Sequence, residues 1–251
     1  MNKKQLIGRI LAVCLVMNFT LATAQENIHL CVDFNALNIK IRDRQINKAD
    51  GLRQMQHLLP EIKKYYYAHA NKGFKADTWV FPLSGYNAKA VGGKNGDGFI
   101  ASGYDYFDGN KHGGHPAHDI FIRDKNQDAI DDFTNKPVSV FSMTGGVVVA
   151  LETNWDSTGS QRGGNYIWIF EPDSNYFFYY AHNNKIFVKL GDIVKPGDVI
   201  ATVGRTGLNA RKKRSPTHLH LMQLQLDKNS YPKPVNCYKL LTKVQPIQKN
   251  E

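Results

Sequence analysis

From Ile120 to Leu226 the chain repeats one pattern, a short apolar segment followed by turn residues. The candidate strands are Ile120–Arg123, Val138–Phe141, Gly146–Leu151, Tyr166–Phe170, Phe177–Ala181, Ile186–Val188, Val199–Val203 and His218–Leu226. Thr144-Gly145-Gly146, Asp173-Ser174-Asn175 and Lys195-Pro196-Gly197-Asp198 supply turn chemistry between several of them. Tight turns of this kind join antiparallel strands, and only one helix is evident in the whole chain. The expected architecture is mainly β, an antiparallel β-sandwich or open barrel core with a small helical N-terminal extension.

The N-terminal part reads differently. In residues 1–24, Lys3, Lys4 and Arg9 precede the apolar run Ile10–Leu21, and Ala22-Thr23-Ala24 ends it. That is the form of a secretory signal peptide, so the mature protein is expected to be exported, periplasmic or secreted. No other apolar run approaches the ~20 residues of a stable membrane span. Residues 25–46 show no clear period. From Asn47, which can cap a helix, Leu52, Met55, Leu59, Ile62 and Tyr66 recur at spacings of three and four. This is the one helix evident, and Pro60 predicts a kink or two short helices joined there. Asn71–Lys75 reads as a linker, and Thr78–Phe81 as the strand that opens the β-region. The expected organisation is signal peptide 1–24, helical extension 25–80, β-rich domain 81–230 and tail 231–251.

The formal net charge is +10. Residues 1–24 hold three cations and no acid, so the rest carries +7. The densest cluster is Arg211-Lys212-Lys213-Arg214. A basic exported protein suits an anionic polymer such as a cell wall. Cys14 lies within the signal, leaving Cys31 and Cys237. Export permits a disulfide, and one between these two would tie the extension to the tail. Asp124, Asn126 and Asp128 begin like a calcium loop, but Ala129 stands where that loop needs Gly and Asn135 where it needs Glu, so a solvated loop is expected.

Six of the nine histidines fall between His112 and His220. In Thr217-His218-Leu219-His220 the two imidazoles are two residues apart, and on a strand they point the same way. His115 and Asp119 are four apart, ~13 Å on a straight strand. To share an ion the chain must bend between them, and Gly113-Gly114 and Pro116 favour a loop ending there. Together His115, Asp119 and His220 make a three-ligand set of the catalytic zinc type with one position open for water. His182, at the end of Phe177–Ala181, and His218 are left beside that position.

These segments carry a family resemblance. His115-Pro116-Ala117-His118-Asp119, Tyr180-Ala181-His182 and His218-Leu219-His220 resemble, in order and type, the lysostaphin-like or LytM-like zinc endopeptidases of bacterial cell walls. Pro137-Val138 through Val148, Gly191–Ile200 and Gly204-Arg205-Thr206-Gly207 are similar to further segments of that family, and the likeness covers about residues 112–226. The resemblance implies Zn2+ as cofactor, His115, Asp119 and His220 as its ligands, and His182 and His218 as catalytic histidines. Which of the two is the general base stays open. The implied partner is the peptide part of peptidoglycan; neither nucleic acid nor a membrane span is expected. The rival expectation is a non-catalytic LytM-like module that binds the wall or activates an amidase. Four departures bear on substrate choice: Ala117 where the family has Gly, Ser215-Pro216-Thr217 for Gly-Pro, Leu221-Met222 for an aromatic and Glu, and a long, basic loop from Leu208 to Ser215. His112 and His118 match no family role, and His118 is expected to support the metal ligands from behind. Tyr104 and Tyr106 are expected to line a groove, with donation to an oxyanion as the alternative.

Overall fold

The computed structural model describes residues 29–70, 73, 74 and 76–247. The expected signal peptide, and residues 71, 72 and 75 of the expected linker, lie outside them.

Two long helices, not one, precede the strands. α1 runs through residues 29–42 and α2 is Lys48–His69. α1 buries Cys31, Phe34, Leu37, Asn38 and Ile41, a helical stripe that the sequence hides by placing Cys and Asn at core positions. α2 is capped by Asn47, whose side chain accepts from Asp50 N at 2.9 Å. Pro60 lies inside α2 without dividing it, because Leu58, Leu59 and Ile62 on either side are held in one core. Tertiary packing outweighs the missing backbone hydrogen bond there. Among the described residues no helix is long and apolar enough to cross a membrane.

Among the described residues ten strands follow: β1 His118–Phe121, β2 Ser139–Phe141, β3 Gly146–Glu152, β4 Tyr166–Glu171, β5 Tyr176–Ala181, β6 Asn183–Ile186, β7 Ile193–Val194, β8 Val199–Val203, β9 His218–Leu226 and β10 Pro232–Val235. The expected strand Thr78–Phe81 is instead a short helical turn, Ala76–Thr78, followed by a single bridge from Val80 to Gln245. The expected strand Ile186–Val188 is β6, which ends at Ile186. β7 and β10 are too short, or too rich in proline, to read from alternation. Beyond β10 the chain adds a short helix, α3 Tyr238–Leu241.

All strand pairs are antiparallel. A seven-stranded sheet runs β1-β9-β5-β4-β3-β7, with β10 beside β1 along the same edge of β9; β2-β8-β6 form a second sheet. The sheets do not close on themselves, so the mainly β expectation takes its open form. One face of the large sheet packs on the small sheet through Ile120, Val140, Ile167, Phe178, Ile200 and Leu219. The other face is covered by α1 and α2 through Phe34, Ile62, Trp168, Phe177 and Leu224. Cys31 belongs to the helical core and Cys237 to the core between the sheets. Both are free. A sheet separates them, and a disulfide needs Cα atoms within ~7 Å, so the expected bridge does not form.

Candidate metal and catalytic site

β9 carries His218 and His220 to the face that α1 and α2 cover further along, where Met222, Leu224 and Leu226 continue the same alternation. Register then supplies the neighbours. Asp119 of β1 stands opposite His220, and so does Ala181 of β5 on the other side, with His182 one residue beyond. Asp119 therefore sits inside strand β1, which starts at His118 rather than at Ile120. His115 arrives from a loop. It forms a two-bond bridge with Ile100, each bond 2.8 Å. Gly114 before it has φ +69°, and a Cβ there would meet the carbonyls of Ile100 and Ser102 at 2.6 Å. Only glycine fits that approach.

The three side chains converge. His115 Nε2 is 3.2 Å and His220 Nδ1 3.0 Å from Asp119 Oδ1, and one ligand atom from each residue lies within 4.8 Å of the others. His218 Nε2 is 3.6 Å from the same oxygen. Ligands ~2.0–2.1 Å from a tetrahedral zinc stand some ~3.4 Å from one another, so this set fits the ion. Burial pushes the Asp119 carboxyl up, but bonds from His115 and His220 outweigh it and hold the group well below the usual carboxylate range. The same carboxylate acts differently on its two partners. The bond to Asp119 raises His115, whereas burial dominates at His220 and lowers it.

Backbone carbonyls set the remaining rings. His115 Nδ1 faces Gly98 O at 3.0 Å, His182 Nδ1 faces Thr206 O at 2.8 Å, and His218 Nδ1 faces Pro216 O at 2.7 Å. A carbonyl only accepts, so a neutral His182 or His218 ring carries its proton on Nδ1 and its lone pair on Nε2, whereas His115 lies between two acceptors, Gly98 O and Asp119 Oδ1. His182 is held in the left-handed region at φ 67°, which costs a β-carbon residue ~1 kcal/mol or more. Its N–H donates to Gly163 O at 3.0 Å, and burial lowers its pKa far below the usual value. His182 and His218 meet edge to face, 4.9 Å between ring centres.

The five residues line a cleft of about 260 Å³ together with Tyr104, Tyr106, Arg162, Tyr179 and three residues of α1, Asn38, Ile41 and Arg42. The helical extension thus walls the cleft. Tyr106 donates to Asn38 Oδ1 and is occupied there. His112 also lines the cleft, but His118 does not. It points through the sheet, bonds Asn236 at 3.0 Å and stacks on Phe99, so it is a core residue rather than a support for the ligands. Alternation along β1 sends it opposite to Asp119. The sequence reading also missed Asp124. It is 7% exposed and accepts from Asp128 N, Ala129 N and Thr217 Oγ1, the last at 2.6 Å. The calcium-like spacing was its only signal; the structure uses it to anchor the residue before His218. Arg205, which donates to Ser215 O and Thr217 Oγ1, braces the same segment.

Residues 125–233 match the model of peptidase family M23. His182, His218 and His220 fall inside that span, and His115 and Asp119 just before it. Over 111 residues, 44% of this chain and 28% of the relative, it is 32% identical to the glycyl-glycine endopeptidase ALE-1 of Staphylococcus capitis. Over 95 residues, 38% of this chain and 17% of the relative, it is 34% identical to lysostaphin of Staphylococcus simulans. The chain thus spans less than a third of either relative. The catalytic domain of lysostaphin from Staphylococcus simulans superposes with a TM-score of 0.37 at 27% identity, covering 53% of this chain and 83% of that one.

Proposed function

From the peptidase family M23 domain that residues 125–233 carry, we propose that this protein is an exported zinc endopeptidase that cuts the peptide part of peptidoglycan. The observation that carries this reading is the convergence of His115, Asp119 and His220, with His182 and His218 at the same cleft.

In this reading His115 Nε2, an Asp119 oxygen and His220 Nδ1 hold Zn2+. Bound there, zinc supplies a water with pKa near ~7 and polarises the scissile carbonyl. Gly98 O orients His115 as an outer partner. His182 and His218 each present an unprotonated Nε2, held by carbonyls of Thr206 and Pro216. One takes the proton of the attacking water and passes it to the leaving amine. The other, once protonated, donates a hydrogen bond to the oxygen that gains charge on the scissile carbonyl. Burial disfavours the protonated form of His182, so its ring rests neutral.

Zinc content and muropeptide release test this together in wild type, His220→Ala and His182→Ala. His220→Ala is expected to lose zinc and activity. His182→Ala is expected to keep zinc and release no muropeptide. Undiminished release by His182→Ala, or full zinc in His220→Ala, rejects the assignment.

A further inference from the structure

Two arginines line the cleft, and their surroundings differ. Arg42 is neutralised, with Asp43 at 2.8 Å and Glu152 at 3.1 Å. Arg162 donates from Nη1 to the His112 carbonyl at 2.8 Å, and among the described residues it forms no ion pair with an acid. Asp119 is the one carboxylate in the described lining, and it is taken by His115 and His220. Arg162 is therefore the cation of the lining that no acid side chain pairs among the described residues.

Arg162 is also placed rigidly. The next two residues are glycines packed against the turn that orients His182. A Cβ on Gly163 would lie 1.8 Å from the Tyr179 hydroxyl, and one on Gly164 2.3 Å from the Thr206 carbonyl carbon. Gly163 O receives the His182 N–H, and Gln161 O receives the Leu208 N–H at 2.9 Å. A planar guanidinium with one N–H group used and the others available matches a carboxylate in a two-bond geometry.

We propose that Arg162 is a specificity-determining residue that binds a free carboxylate on the substrate residue next to the scissile amide. This rests on the endopeptidase reading above and narrows its substrate class. A cross-link between stem peptides, in which the residue supplying the amine also carries a free carboxylate, satisfies Arg162. The interior of a glycine bridge carries no carboxylate and leaves the charge unmatched.

Three peptides test it on the zinc-loaded protein: a cross-linked stem peptide with that carboxylate, the same peptide with a carboxamide in its place, and pentaglycine. Wild type is expected to favour the carboxylate peptide by ~10-fold or more in kcat/KM over the carboxamide. Arg162→Gln is expected to bring the two within ~2-fold, chiefly by raising KM for the carboxylate peptide, and Arg162→Lys to restore part of the preference. Equal cleavage of the pair by wild type, a preference that survives in Arg162→Gln, or a preference for pentaglycine overturns the proposal. Calorimetric binding of the pair to His182→Ala, with and without Arg162→Gln, reads the contact without turnover. If wild type cleaves none of the peptides, the endopeptidase reading fails and binding alone decides. Tighter binding of the carboxylate form, lost with Arg162, upholds the contact; equal binding overturns it.

Discussion

Asp119 on β1 and His220 on β9 face each other across one rung of the sheet, with Oδ1 3.0 Å from Nδ1. A cross-strand pair is held by two backbones at once, so this half of the site is preorganised. Asp119→Asn keeps the shape and removes the charge. It is expected to weaken zinc binding by more than ~100-fold, beyond what loss of an outer partner does. Competition with a chelator measures this, and chelation of wild type is expected to abolish peptide release until zinc is restored.

Gly114→Ala is expected to disturb the other half. The added carbon meets two carbonyls at a positive φ, for a cost of ~1–3 kcal/mol. Relief requires the loop to shift, and His115 moves with it. Thermal unfolding with and without zinc is expected to show a lower Tm and a smaller stabilisation by zinc than in wild type.

Thr217→Val removes the donor to the buried Asp124 Oδ2. Leaving that acceptor with one bond fewer is expected to cost ~1–3 kcal/mol by urea unfolding. Because Thr217 precedes His218, peptide release is expected to fall while zinc content holds.

Cys31 and Cys237 are 0% and 3% exposed, and burial pushes each thiol up to about 12. The thiolate is the reactive form. Native protein lacking residues 1–24 is expected at pH 8 to resist a thiol reagent, and the same protein, denatured and unreduced, to show two thiols. A single reactive thiol or none in the denatured protein would contradict the separation of the two cores.

Arg211, Lys212, Lys213 and Arg214 are all exposed, and Asn209, Ala210 and Ser215 on either side of them line the cleft. Replacing the four by glutamine is expected to weaken co-sedimentation with anionic cell walls, with a reduced dependence on salt. Cleavage of a short peptide is expected to stay within ~2-fold of wild type, since the backbone of this loop is held independently by Arg205.

Much of the fold is legible where local chemistry repeats. The strands β3, β4, β5, β8 and β9 lie within a residue or so of their expected limits, because apolar runs and turn residues act locally. α1 escaped notice because its stripe includes Cys31 and Asn38, residues whose place in a core depends on what packs there. Pro60 was overrated as a breaker for the same reason. Arg162 left no trace in the sequence; its meaning comes from its forming no ion pair with an acid among the described residues, which is a fact about space.

By itself the sequence determined that His218 and His220 share a face, because alternation with a period of two is built into extended backbone. It also placed His115 after glycines that permit a bend. The tertiary structure decided the rest. Register between β1 and β9 brings Asp119 to His220 across 101 positions of sequence. Carbonyls of Pro216 and Thr206 choose the proton position on His218 and His182, and one sheet keeps Cys31 from Cys237. Pairings between distant segments are selected by which faces must be buried together, and no local window of residues contains that information.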